Sequence, residues 1–414
     1  MRKRSLTVAF LLLASAFFVG ISVTPSARAA TLYVGGAGPG NYSSIQGAID
    51  MASSGDTVFV YSGTYNETVE VRKTLSLVGE NKYTTVITDE TEGGVVRVSG
   101  YRSNVTGFTV INTGQQYTDH GISVSCEGCL ISGNRILASE GVGIILRGSW
   151  TTTVSDNTVV DGGYGIYSWA GIGNLVTANR LESVWEGIHA DFPEYLTIAN
   201  NTVLNNGYFG IWLFSGDYSS VLGNNISHNS CGLWLEGSRW ALIANNTFID
   251  NQQGIQSSWW SENSRIYHNY MDNPRQVWVH NSTNDWDNGY PSGGNYWSDY
   301  TGVDVFRGPG QNIPGSDGIG DTPYIIDEDT QDNYPLMRFP PSPIVWVDML
   351  YGPVRGNATQ VWSSAPSDVP LSSGSGSCGR SPDSACISVT SPASPPALSR
   401  DISSRVVTRQ ARSP

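Results

Sequence analysis

Cysteine is scarce. Five in 414 residues are too few for a disulfide scaffold. Cys126 and Cys129 form a lone C-x-x-C. Without a βαβ setting it reads as a local disulfide or two inert thiols rather than a redox centre. Charge is also sparse, and the net charge is −13. That excludes nucleic acid and anionic membrane surfaces and favours neutral or cationic partners. His and Met, five of each, are scattered, so no soft-metal cluster is spelled out. The 3.6-residue apolar period of amphipathic helices is missing from the body. No apolar stretch after residue 29 could span a bilayer.

What is present is a repeat. A Gly-Ile or Gly-Leu pair opens each unit, at Gly121, Gly143, Gly165, Gly187, Gly210, Gly232 and Gly254, with spacings of 22, 22, 22, 23, 22 and 22 residues. An apolar-x-x-Asn-x-apolar mark keeps the same beat at Asn134, Asn157, Asn179, Asn201, Asn224, Asn246 and Asn269. Two landmarks on one period define a repeat architecture. Within each unit apolar residues alternate, as in Gly232-Leu233-Trp234-Leu235-Glu236, and a period of two is a strand. A unit of this length holds about three short strands. The expected fold is all-β: a right-handed parallel β-helix of ~22-residue coils, each paired only with its neighbours. Ile122, Ile144, Ile166, Ile188, Ile211, Leu233 and Ile255 would form one buried file. The asparagines are expected at tight turns, in left-handed backbone, stacked as a ladder.

Residues 1–29 read as a secretory signal: Arg2, Lys3 and Arg4, an apolar run, then Ala27-Arg28-Ala29. The body is therefore expected to be secreted, periplasmic or on the cell surface, with no membrane span once the signal is cleaved. Residues 30–117 read as an N-terminal cap and first coils. A short helix over 43–52, with Ile45, Ala48 and Ile49 as its apolar face, would cover the open end of the stack. It would be capped by Ser43 or Ser44. Phe108 stands where a ladder Asn is expected. Residues 118–280 are the regular coils, 281–339 a Trp- and Asp-rich C-terminal cap, and 340–414 a Ser/Pro/Arg-rich tail of disordered composition.

Three stretches carry a family resemblance: Ser44-Ile45-Gln46-Gly47-Ala48-Ile49 with Gly55-Asp56-Thr57-Val58 and Gly63-Thr64-Tyr65; the Gly-Ile and Asn repeats; and Gly294-Asn295-Tyr296-Trp297 with 317–324 and 333–336. Together they resemble the NosD-type periplasmic copper-binding β-helix family, within the wider set of β-helix carbohydrate-binding proteins and sugar hydrolases. The resemblance implies a copper-related accessory role. The residues themselves offer no cluster of Met, Cys or His for copper, and no cofactor is required by the reading.

Inward Ile implies outward neighbours. At glycine-plus-two these are Ser123, Ile145, Tyr167, His189, Trp212, Trp234 and Gln256. At plus-four they are Ser125, Arg147, Trp169, Asp191, Phe214, Glu236 and Ser258. Coils stacked roughly 4.8 Å apart turn these files into an exposed strip about 29 Å long. Flat aromatic faces suit sugar rings, so Tyr167, Trp169, His189, Trp212, Phe214 and Trp234 are the candidate binding residues for a polysaccharide or glycoprotein glycan. The bland reading is that the aromatics reinforce cross-strand stacking, or that a loop or partner covers them. If the protein is an enzyme, a lyase or epimerase would use His189 and Asp191 with Arg147 to neutralise a uronate. A hydrolase would use Asp191 and Glu236, two coils apart. A structural surface protein is the third class. The acidic cap offers Asp317, Asp321 and Asp327 as oxygen ligands for calcium. The chain is expected to act as a monomer.

Overall fold

The computed structural model describes residues 29–339, except 90–92, 113, 115 and 117, and the backbone of 346–348 and 360–362. The signal and most of the tail read from the sequence lie outside the described residues.

The chain winds into a right-handed parallel β-helix with three faces. The first face is a sheet of twelve strands, one per coil, from Thr31–Val34 to Thr283–Asp285. The second runs from Gly63–Asn66 to Tyr296–Trp297, and the third from Val69–Val71 to Val277–His280. In two coils the second- and third-face strands merge into single 12-residue strands, Thr158–Trp169 and Arg180–Asp191. Among the described residues antiparallel pairs occur only beyond the last coil.

Ile122, Ile144, Ile166, Ile188, Ile211, Leu233 and Ile255 are in direct register and fully buried. Each contributes roughly 1.5–3 kcal/mol by leaving water. The glycine before each has a steric reason. A Cβ on Gly187 would lie 2.4 Å from the Gly210 carbonyl oxygen and 2.5 Å from the Val203 side chain. So the glycine and the following isoleucine both face inward, and the strict alternation assumed from the sequence breaks there. The side chain before the glycine lies on the outer side of the strand but is covered by its neighbours, with Glu186 and Phe209 each 4% exposed.

The asparagine ladder is present, with one correction. Asn201 donates from Nδ2 to the Val176 carbonyl (2.9 Å) and to Asn224 Oδ1 (3.0 Å), and accepts from the Asn179 N–H (2.9 Å). The pattern runs from Asn134 to Asn269 and on to Asn295. Phe108, fully buried, lies at the head, its N–H donating to Asn134 Oδ1. The ladder asparagines do not hold the left-handed backbone. The preceding residue does: Gly133, Asp156, Ala178, Asn200, Gly223, Asn245 and His268 all have positive φ. That twist turns the next side chain into the core, where its amide replaces the backbone partners lost at the corner. A second ladder runs through Asn206, Asn229, Asn251 and Asn273, and its first three members follow the same rule behind Asn205, His228 and Asp250.

Helix Ile45–Met51 seals the first coil with Ile45, Ala48 and Ile49 buried. Ser44 Oγ accepts from the Gly47 N–H, and the Glu67 carboxylate accepts from the N–H groups of Ile45 and Gln46. The other end is closed by Trp286 and Trp297, both buried. Asp332, fully buried, accepts from the Asn295 N–H (2.7 Å), Trp297 Nε1 (2.9 Å) and the Tyr334 N–H (3.0 Å). Cys126 and Cys129 form a disulfide at a corner, and Cys231 is buried.

Candidate functional site

The third face carries the aromatic files, and their register is direct. Ile145, Tyr167, His189, Trp212, Trp234 and Gln256 stand over one another, as do Arg147, Trp169, Asp191, Phe214, Glu236 and Ser258. Ring centroids step from Tyr167 to His189 (5.1 Å), Trp212 (4.3 Å) and Trp234 (4.5 Å). The two indoles are 12° from parallel.

The strip is less exposed than the alternation implied. His189 is 7% exposed and Ile145 4%, while Tyr167, Trp212, Phe214 and Trp234 are half-buried. The rings pack on one another, and their polar tips are tied down. Trp212 Nε1 donates to Glu236 Oε2 (3.1 Å), Trp234 Nε1 to Ser258 Oγ (2.8 Å), and the Tyr167 hydroxyl to Asp191 Oδ2 (2.6 Å). Residues just before the repeat glycines, outward because alternation breaks, complete the floor. Tyr164 stacks on Tyr167, and Phe209 lies against both Trp212 and Trp234. Exposed rings stand on either side: Trp169 (49%) and Phe192 at one corner, Trp185 (57%) over Tyr208 at the other.

His189 is the centre of the charge network. Its Nε2 lies 2.9 Å from Asp191 Oδ1 and its Nδ1 2.8 Å from Glu186 Oε2. The Glu186 contact is close enough for an ion pair but too misaligned for a hydrogen bond. Burial works against a charged ring. The Asp191 hydrogen bond and the two carboxylate charges outweigh it, lifting the pKa to about 9. At neutral pH His189 is therefore an imidazolium. Asp191 is raised by burial but falls on balance, through its bonds from His189 and Tyr167. Burial pushes Glu236 up, partly offset by the Trp212 hydrogen bond, with Asp191 adding to the rise. Glu186, which completes the network, was not among the residues singled out from sequence. Its position directly before Gly187 was the available signal.

Arg147 is exposed at the far end, two coils from Asp191. The cap carboxylates serve their own loops. Asp317 accepts from the N–H groups of Gly308 and Ile319, Asp321 from those of Val305 and Phe306, and Asp327 from that of Asp329. Among the described residues no group of three or more His, Cys, Asp or Glu is placed to hold a metal ion. Copper fits no better, since two cysteines are joined, Cys231 is buried, and both His189 nitrogens face carboxylates. Among the described residues no helix is long and apolar enough to cross a membrane.

Residues 120–271 match the family model described as right handed beta helix region. No curated protein matches the chain. Among solved structures, ORF18 of Geobacillus virus E2 superposes with a TM-score of 0.50 at 14% identity, over 69% of this chain and 61% of that one. The chain thus spans about three-fifths of that protein's length. The structure titled "The complex structure of XylC with xylose" gives 0.52 at 12% identity, over 60% and 69% of the two chains. An alginate lyase from Paenibacillus sp. str. FPU-7 superposes more loosely, at 0.49 and 13% identity, over 65% and 98%. The first two show a shared fold and nothing finer.

Proposed function

We propose that this right-handed β-helix is exported and binds an extracellular or cell-surface polysaccharide, or a glycoprotein glycan, along its third face. One observation carries the reading. An aromatic floor crosses four consecutive coils from Tyr167 to Trp234 with its polar tips fixed, and exposed Trp169 and Trp185 flank it. A surface pinned before the ligand arrives spares the ordering that binding otherwise costs. Isolated exposed aromatics need no cause, but a row of them beside a pinned floor does. Export rests on the expected signal and on the Cys126–Cys129 disulfide, a bond that persists in oxidising compartments.

A hydrolase is the second reading, and one observation favours it. Asp191 and Glu236 lie in one file two coils apart, roughly 9.6 Å at the backbone, and their environments push their pKa values in opposite directions. That is the pattern of an acid–base pair. Against it, both Asp191 oxygens are already bonded, to His189 and Tyr167.

The test is a glycan array with the purified protein, followed by Trp169→Ala and Trp185→Ala. Both side chains are exposed, so the fold should stand. Each change is expected to weaken binding about tenfold, equivalent to about 1.4 kcal/mol. Unchanged affinity in both variants refutes the site. New reducing ends appearing with time select the hydrolase.

A further inference from the structure

The charges along the strip are unevenly open to a ligand. His189, the central cation, is buried and faced by Glu186 and Asp191, so it has no valence left for an acidic sugar. Asp191 is half-buried, with its two oxygens bonded to His189 and Tyr167. Glu236 differs. Its Oε2 accepts from Trp212 Nε1, and its Oε1 has no hydrogen-bond partner among the described residues. The carboxylate is half-exposed beside the stacked indoles of Trp212 and Trp234. Arg147, the exposed cation of the same file, stands four coils away. That is roughly 19 Å, well past a screening length of about 8 Å in physiological salt. On the other side Ser258 adds no charge, and His280 lies two coils off.

We infer that Glu236 sets the charge preference of the strip: amino-bearing glycans are held best, uncharged glycans less well, and polyuronates poorly. The inference rests on the glycan-binding reading. An ammonium beside Glu236 would meet an open carboxylate oxygen. A uronate there would set carboxylate against carboxylate, and the cation within reach of Glu236, His189, is already held between Glu186 and Asp191. The preference also follows the net charge of −13, which concentrates cations and repels polyanions at long range.

The experiment uses the purified full chain with three immobilised probes of like length: a glucosamine oligomer, its N-acetylated counterpart and an oligogalacturonate. The glucosamine oligomer is expected to bind at least tenfold tighter than the N-acetylated one, and the uronate at least tenfold weaker. Glu236→Gln should abolish the amino preference, so that the amino and N-acetylated probes bind the variant alike. Circular dichroism of the variant checks the fold. Equal binding of amino and N-acetylated probes, tighter binding of the uronate, or an amino preference that survives Glu236→Gln overturns the inference while leaving glycan binding standing. No binding to any probe or to a broad array overturns both, so the two failures are distinguishable.

Discussion

Whether His189 is a base or a strut bears on the lyase or epimerase alternative, and its ionisation can be measured. The structure sets the ring between Asp191 and Glu186 with 7% of the residue exposed. Its pKa rises from an ordinary 6.5 to about 9. Each pKa step corresponds to about 1.36 kcal/mol, so the network contributes about 3 kcal/mol in favour of the fold. Because folding favours the protonated ring, that stabilisation is complete below pH 6.5. It is lost as pH rises through 9. Urea unfolding between pH 6 and 10 should therefore show stability falling by about 3 kcal/mol. His189→Gln should remove most of the slope while lowering stability at neutral pH, since two carboxylates are left facing each other without a cation. The histidine Cε1–H resonances give the direct reading. A resonance that still reports imidazolium at pH 8 is expected from His189, and it should vanish in the variant. A His189 that titrates near 6.5, or wild-type stability flat across this window, refutes the network and returns His189 to candidacy as a general base.

Two further outcomes test the scaffold. Asn201→Ala leaves the buried Asn179 N–H without its acceptor and takes one donor from the Val176 carbonyl, and should cost about 1–3 kcal/mol for the orphaned group. Loss of hydrogen-exchange protection at Asn179 is the local readout, and a cost under 1 kcal/mol contradicts the ladder's role. In the C-terminal cap, burial lifts the Asp332 carboxyl to about 7 against the hydrogen bonds it accepts. Folding thus favours the protonated acid, and the cap should loosen as pH rises through 7. Exchange at the Trp297 indole N–H should show this dependence, and Asp332→Asn should lose it.

The sequence made the periodic parts of the molecule legible and the exceptions to the period illegible. Ile144 and Ile188 stack because coils of constant length put equal positions in register, and a constant spacing is visible in one dimension. Helix Ile45–Met51 showed its apolar face for the same reason. The ladder was readable from Asn134 to Asn269, but its backbone was assigned one residue too late. The side chain that turns inward is a ladder Asn. The twist that turns it lies just before, at residues as different as Ala178 and His268. Glu186, Tyr164 and Phe209 escaped because two consecutive inward positions interrupt the alternation. That interruption is set by a glycine packing against the next coil's carbonyl, which no single coil reveals. Exposure along the strip was overestimated because outward-facing was equated with open. Rings at coil spacing cover one another, and Trp212 touches His189, Phe209 and Trp234 before any ligand arrives.

That mutual covering sharpens what the surface can do. Stacking and hydrogen bonds within the floor occupy Tyr167, His189, Asp191, Trp212 and Trp234, so these side chains hold the shape of the face more than they offer contacts. What the network leaves uncommitted is at its margins: the faces of Trp169 and Trp185, and one oxygen of Glu236. For the hydrolase reading the acid and base must move protons, and both Asp191 oxygens are bonded, to His189 and Tyr167. A binder needs a rigid floor with open edges, and this face has both. The same stacking first read as an alternative to ligand binding would support the binding proposed above, because rings that already satisfy one another need little reordering when the margins are filled.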